Sequence, residues 1–207
     1  MTGKNKKWIK REIEVHRELS AKFGLHQVGR PSIVKLYHVL ENSKYLVLVT
    51  ELCEPLSLHQ YVQSQPGGTL SEMDAREFFL QIVTVFDKFR SFGFVHRDAK
   101  PSNLFLKTER GKKVIRVGDF GNARKVDDTF FGQEKPMRAF MGNRGTTPPE
   151  MFKLMLHEEW PEFPGYTSKV DVYALGIIFF WMIVGCVPFD RHMVNSDIEF
   201  ARLVLKG

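Results

Sequence analysis

Cysteine is scarce in this 207-residue chain: Cys53 and Cys186 are the only two, far apart and without C-x-x-C spacing. That excludes a disulfide framework and a cysteine-built metal centre. It makes a reducing compartment, the cytoplasm or nucleus, the expected setting. No apolar run follows the basic opening MTGKNKKWIK, so no secretory signal is expected. Internal repeats and low-complexity tracts are lacking too. Only VYALGIIFFWMIVGCVPF, residues 172–189, imitates a membrane span. Pro188 is expected to stop that helix, leaving Val172 to Cys186, roughly 23 Å of helix. A bilayer core needs about 30 Å, and the flanking Asp171 and Asp190 are no basic anchors. A helix buried on all sides in a large globular lobe is expected instead, and no membrane partner.

What is present suits one domain, or one domain in two lobes: 43% hydrophobic residues, with 18 Phe and 3 Trp to fill a core. Net charge is +6, and residues 1–30 hold eight basic side chains against Glu12, Glu14 and Glu18. No aromatic platform or groove-reading motif accompanies them, so the charge reads as a solvated helix face and no nucleic-acid partner is expected.

The periodicity predicts a helix from Trp8 to Phe23, then a hairpin of 33–40 and 45–52 around the turn ENSK. Ser71 and Asp74 form a capping-box pattern before a helix whose apolar face is Phe78, Phe79, Ile82, Val83, Phe86 and Phe89. NLFL and VIRVGD predict two short strands around TERGK; 119–150 is mostly irregular, and a last helical piece follows in SDIEFARLVLKG.

One stretch carries chemistry. FVHRDAKPSNLFL, residues 94–106, breaks an apolar run with His96, Arg97, Asp98, Lys100 and Asn103. Charges in apolar surroundings are costly unless paired, so such a loop is built for a purpose. Asn103 offers an amide oxygen and Asp119, in GDFG, a carboxylate. Those are the oxygen donors Mg²⁺ accepts alongside water and phosphate. Asp98 is left to take a proton from a hydroxyl, and Lys100 to place positive charge beside a transferring phosphoryl group.

H-R-D-x-K-x-x-N followed by D-F-G resembles the eukaryotic protein kinases, and so do PPE at 148–150, DVYALG at 171–176 and VPF at 187–189. The resemblance runs from Glu12 to about Gly207. It implies an α+β, two-lobe kinase-like fold: a partial small lobe in 1–50, with one helix and two strands, a hinge in 51–55, and a mostly helical large lobe in 56–207. It implies Asp98 as catalytic base, Lys100 as its helper at the γ-phosphate, and Asn103 and Asp119 as Mg²⁺ ligands. Glu12 matches the helix glutamate that pairs with a strand lysine. Thr50 resembles the gatekeeper; Glu51 to Cys53 resemble the hinge that meets adenine through backbone groups, and Phe105 joins these cofactor-binding positions. Asp171 is expected to hold the catalytic loop from below, and His96, Phe120 and Leu36 to belong to a stacked spine. The implied function is Ser/Thr protein kinase, with Mg²⁺ and ATP as cofactors and a protein Ser/Thr hydroxyl as substrate. Oligomeric state is not legible. The competing reading is a pseudokinase or scaffold without catalysis.

The sequence departs from the family in places. No G-x-G-x-x-G loop and no V-A-I-K strand occurs in it. MTGKNKKWIK resembles the linker between lysine strand and helix, so a domain truncated at both ends, poor in ATP binding and turnover, is expected. Asn143 and Thr146 stand where Ser/Thr kinases usually carry Thr and Tyr. His16 stands where the spine is usually aliphatic, and its ring nitrogens need partners. Thr129 is the sole hydroxyl between Asn122 and Met141, so no ordinary activation-loop switch through Arg97 is expected.

Overall fold

The computed structural model describes residues 3–24, 28–42, 44–126, 134–190 and 194–206, with side chains from residue 8 onward. The chain opens with α1 (Gly3–Phe23). The helix therefore begins well before Trp8, and the residues that resembled a linker are helical from Gly3. Its inward face is Ile13, Val15, His16, Leu19 and Ser20, the 3.6-residue pattern expected of a one-sided helix.

The first apolar run does not form one strand. β1 (Ser32–Ile33) pairs in parallel with a later strand, and only β2 (Leu36–Glu41) enters the hairpin with β3 (Leu46–Thr50). The split follows from a backbone bond: Val34 N–H donates to Val117 O at 2.8 Å, which pins this turn of chain onto the larger body. The division at residue 50 is thus not clean, because residues 32–33 belong to the sheet built by 104–117.

The larger body is organised by α3 (Glu72–Ser91) and α5 (Lys169–Val184). Ser71 caps α3, accepting from Asp74 N–H, and Ala75, Phe78, Ile82, Val85, Phe86 and Phe89 are its buried stripe. Val83 is exposed and Phe79 only half-buried, so the apolar face is narrower than its sequence suggests. A short α2 (Leu58–Gln63) is held by a full capping box between Ser57 and Gln60. β4 (Phe94–Val95) leads into the polar loop and pairs with β7 (Arg124–Lys125); β5 (Leu104–Glu109) and β6 (Lys112–Val117) form the expected hairpin.

α5 ends at Val184, where Gly185 takes φ 83° as a left-handed cap, before Pro188 is reached. Nor is α5 covered on every side: Val172 is 67% exposed and Val184 49%. Its buried stripe, Ala174, Leu175, Ile178, Trp181 and Met182, packs into the main core with α3. Among the described residues no helix is long and apolar enough to cross a membrane. A smaller core joins α4 (Pro149–Met155) to α6 (Asp197–Lys206) through Phe152, Leu156, Phe200 and Val204.

Candidate active site

The polar loop 96–103 sits between β4 and β5, and its shape is imposed from below. Asp171, at the start of α5, accepts His96 N–H at 2.7 Å through Oδ2 and Arg97 N–H at 2.9 Å through Oδ1. Burial pushes the Asp171 carboxyl up, while His96 and the two N–H donors oppose the shift. This anchor holds Arg97 at φ 64°, a left-handed conformation that arginine rarely adopts and that costs about 1–3 kcal/mol. Gly142 approaches from the opposite side; at φ 92°, any Cβ there would stand 2.4 Å from Arg97 O, so only glycine lets this segment close on the loop.

His96 completes the frame. Its Nε2 donates to Gly118 O at 3.1 Å and its Nδ1 accepts from Asp98 N–H at 3.3 Å, which fixes one neutral tautomer. Gly118 N–H donates back to Asn103 O at 2.9 Å, stitching the loop to the end of β6. A Cβ at Gly118 would meet the Phe105 ring at 2.8 Å, so Phe105 lies directly against the chain that delivers Asp119.

The reactive groups converge on this frame. Asp98 Oδ2 accepts from Lys100 Nζ at 2.8 Å and from Asn122 Nδ2 at 3.3 Å. Its other oxygen, Oδ1, is buried without a hydrogen-bond partner among the described residues. An orphaned buried acceptor calls for a donor, and a hydroxyl is one. Asn103 donates its Nδ2 to Asp98 O at 3.0 Å, which commits the amide nitrogen and leaves the amide oxygen for another partner. Asp119 is exposed, at φ 61°, two residues beyond β6. This donor set fits Mg²⁺: one amide oxygen, one carboxylate, and room for water and phosphate oxygens. Among the described residues no three of His, Cys, Asp and Glu gather into an all-protein metal cage.

The spine is present in part. His16, Phe120 and His96 stack in series, with ring centroids 4.6 Å and 5.8 Å apart, and Phe89 lies 5.7 Å from Phe120. His16 finds the partner its ring requires: Nε2 donates to Val34 O at 2.7 Å, and burial pushes its pKa down. Leu36 is buried on β2 with its N–H bound to Ser20 Oγ.

Glu12 is not met by a cation among the described residues. Its Oε2 and Asp119 Oδ1 each lie 3.5 Å from the point where a side chain on Gly121 would begin. Its carboxyl is pushed up, first by burial and then by the Asp119 carboxylate. An acid raised on folding stabilises the fold while protonated; that contribution is full below the unfolded value, near ~4.3, and is lost as pH rises through the folded one. Glu12→Gln is therefore expected to flatten the fall in melting temperature as pH rises above about 4.3. A slope identical to the unaltered protein's would show that neither burial nor Asp119 raises the Glu12 carboxyl.

The hinge positions behave differently from one another. Thr50 ends β3 and is exposed, with Leu36 as its strand partner. Glu51 spends its N–H on Lys35 O at 2.8 Å. Its buried side chain is structural, bound to Arg116 Nε at 3.2 Å and Lys107 Nζ at 2.5 Å. Cys53 is half-buried and its thiol is pushed up to about 11, mainly by burial, so it is no nucleophile at neutral pH. Arg97 Nε donates to Asn122 O at 2.8 Å and Nη1 to the Tyr166 hydroxyl at 3.2 Å. Thr129 lies outside the described residues. Asn143 caps a short turn, its Oδ1 accepting Gly145 N–H at 2.9 Å.

Two residues of this site had no signal in the sequence. Asn122 reaches Asp98 from 24 residues away, and Tyr166 reaches Arg97 from 69.

Comparison with known proteins agrees with this geometry. The protein kinase domain family profile matches residues 2–204. Sperm motility kinase 3A of Mus musculus is 33% identical over 190 residues, which is 92% of this chain and 34% of that protein. Sperm motility kinase 2B of Mus musculus is 32% identical over 183 residues, 88% of this chain and 34% of that protein. The chain spans about a third of the length of these curated relatives.

Proposed function

This chain belongs to the protein kinase family, and from that membership we propose that it is a serine/threonine kinase catalytic domain working on Mg²⁺ and ATP. The observation that carries the reading is Asp98: a carboxylate with one oxygen held by Lys100 and the other buried without a donor among the described residues. A substrate hydroxyl supplies that donor. Asp98 then accepts the hydroxyl proton as the oxygen attacks the γ-phosphorus and the bond to the β-phosphate oxygen breaks. Lys100, held beside Asp98, offsets charge on the transferring group. The amide oxygen of Asn103 and the carboxylate of Asp119 would hold Mg²⁺, which supplies charge neutralisation at the phosphates. Lys100 two residues after Asp98 supports Ser/Thr over Tyr as acceptor, because the H-R-D-x-K form resembles Ser/Thr kinases.

Phosphoamino-acid analysis of a mixed acceptor protein tests the acceptor class. Phosphoserine and phosphothreonine are expected; phosphotyrosine as the main product would overturn the assignment.

A further inference from the structure

We propose that the cavity beside Lys100 is a substrate subsite that takes one large apolar side chain close to the acceptor hydroxyl; this rests on the kinase reading and names its substrate class. The cavity holds about 210 Å³. That is below the roughly 300–1,000 Å³ of small-molecule sites and suits a single side chain. Pro101, Ile177, Trp181 and Val187 form its apolar side, and polar side chains that include Lys100, His59 and Asn143 form the other. His59 and Trp181 stack at 5.2 Å with 18° between their planes, giving a flat aromatic wall. The Ser57–Gln60 capping box fixes α2 and hence the base of His59.

Two features locate and define the subsite. Lys100 walls the cavity and also bonds Asp98 at 2.8 Å, so a peptide whose hydroxyl reaches Asp98 carries its neighbouring residues past the cavity mouth. An extended chain advances about 3.3–3.6 Å per residue, which brings a residue one to three positions from the acceptor within reach. Charge then selects. No acidic side chain lines the cavity among the described residues, and the one full cation, Lys100, is already paired. A lysine or arginine of the substrate would find no counter-charge there, whereas an aliphatic or aromatic group would cover the part of the apolar side that faces the cavity.

The test reads binding, so that it does not depend on turnover. Peptides with alanine at the acceptor position, varied one flanking position at a time, are titrated with the purified 207-residue protein. Leu, Ile, Met or Phe at one fixed position is expected to bind about ten- to a hundredfold tighter than Ala there. Trp181→Ala should erase that preference. Trp181 is deeply packed, so Val187→Glu, at a half-buried wall position, provides the second variant; it should shift selection at the same position to Lys and Arg. Selection of basic or acidic residues by the unaltered protein, no positional selection, or an apolar preference that survives Val187→Glu would overturn the proposal. Matched peptides with serine restored at the acceptor position read phosphoryl transfer separately: apolar selection in binding without transfer would keep the subsite without the catalytic reading, and transfer without apolar selection would do the reverse.

Discussion

Asp98→Asn is expected to slow phosphoryl transfer about 10²–10⁴-fold while leaving the fold intact. The substitution preserves shape but removes the proton acceptor. An asparagine oxygen still accepts one of the two bonds that Lys100 and Asn122 now make to Oδ2, so the loop keeps much of its geometry. The loop does not depend on this side chain for its path, because Asp171 and His96 hold the backbone of residues 96–98 from below. Circular dichroism melting should therefore move little, and the loss should lie in the rate constant. A rate within a few-fold of the unaltered protein would mean that Asp98 is not the base. Asp98→Ala is the harsher control: it also releases Lys100 and Asn122, so a melting shift is expected there.

Arg116→Ala is expected to destabilise the fold by about 3–5 kcal/mol. Arg116 is fully buried, which is rare for arginine, and every part of its fork is engaged. Nε donates to Glu51 Oε1 at 3.2 Å, Nη2 to Glu109 Oε1 at 2.7 Å, and Nη1 to Arg30 O at 2.9 Å. Removing the guanidinium takes one cation from the Glu51 carboxylate, itself 2% exposed as a side chain, which Lys107 also bonds. A buried charge that loses one of its partners costs more than the pair contributed. At about 2–4 °C per kcal/mol for a chain of this size, the melting temperature should fall by about 6–20 °C. The double replacement Glu51→Leu with Arg116→Met should recover much of the loss, because an apolar pair carries no desolvation cost. Calorimetry on the single and double variants separates these cases; additive losses would refute the coupling. The cluster matters for the site as well. It joins the chain after β3 to β6, and so sets the hinge against the strand that delivers Asp119.

The reactive loop was legible in the sequence because its residue types are few, polar and set in apolar surroundings, and because five short stretches occur in the family's order. The partners that shape it were less so. Asp171 could be placed from its resemblance, but Asn122, Tyr166 and Gly142 reach the loop only through the fold. The Arg116 cluster joins residues 65 positions apart, a pairing no local pattern reports. The break at Val34 was hidden for the same reason: 33–40 is one apolar-rich run, and what divides it is pairing with a distant strand, 32–33 beside 116–117 and Val34 bonded to Val117. The exposed flank of α5 was misjudged because composition shows how apolar a helix is, not how many neighbours it has. The Ser57-x-x-Gln60 box before α2 is a local pattern, but the segment it opens is only six residues long. Glu12 was placed correctly in α1, yet its neighbour in the structure is an acid where the resemblance implied a lysine.

That mismatch makes a low rate the expectation for this chain by itself, so the decisive measurement is a single-turnover one. Protein in excess over radiolabelled ATP and a Ser/Thr acceptor is followed with Mg²⁺ and again with a chelator, for the unaltered protein and for Asp98→Asn. The account predicts slow transfer of label to the acceptor hydroxyl that needs Mg²⁺ and falls about 10²–10⁴-fold with Asp98→Asn. Transfer that persists in chelator, or transfer indifferent to Asp98, would contradict it.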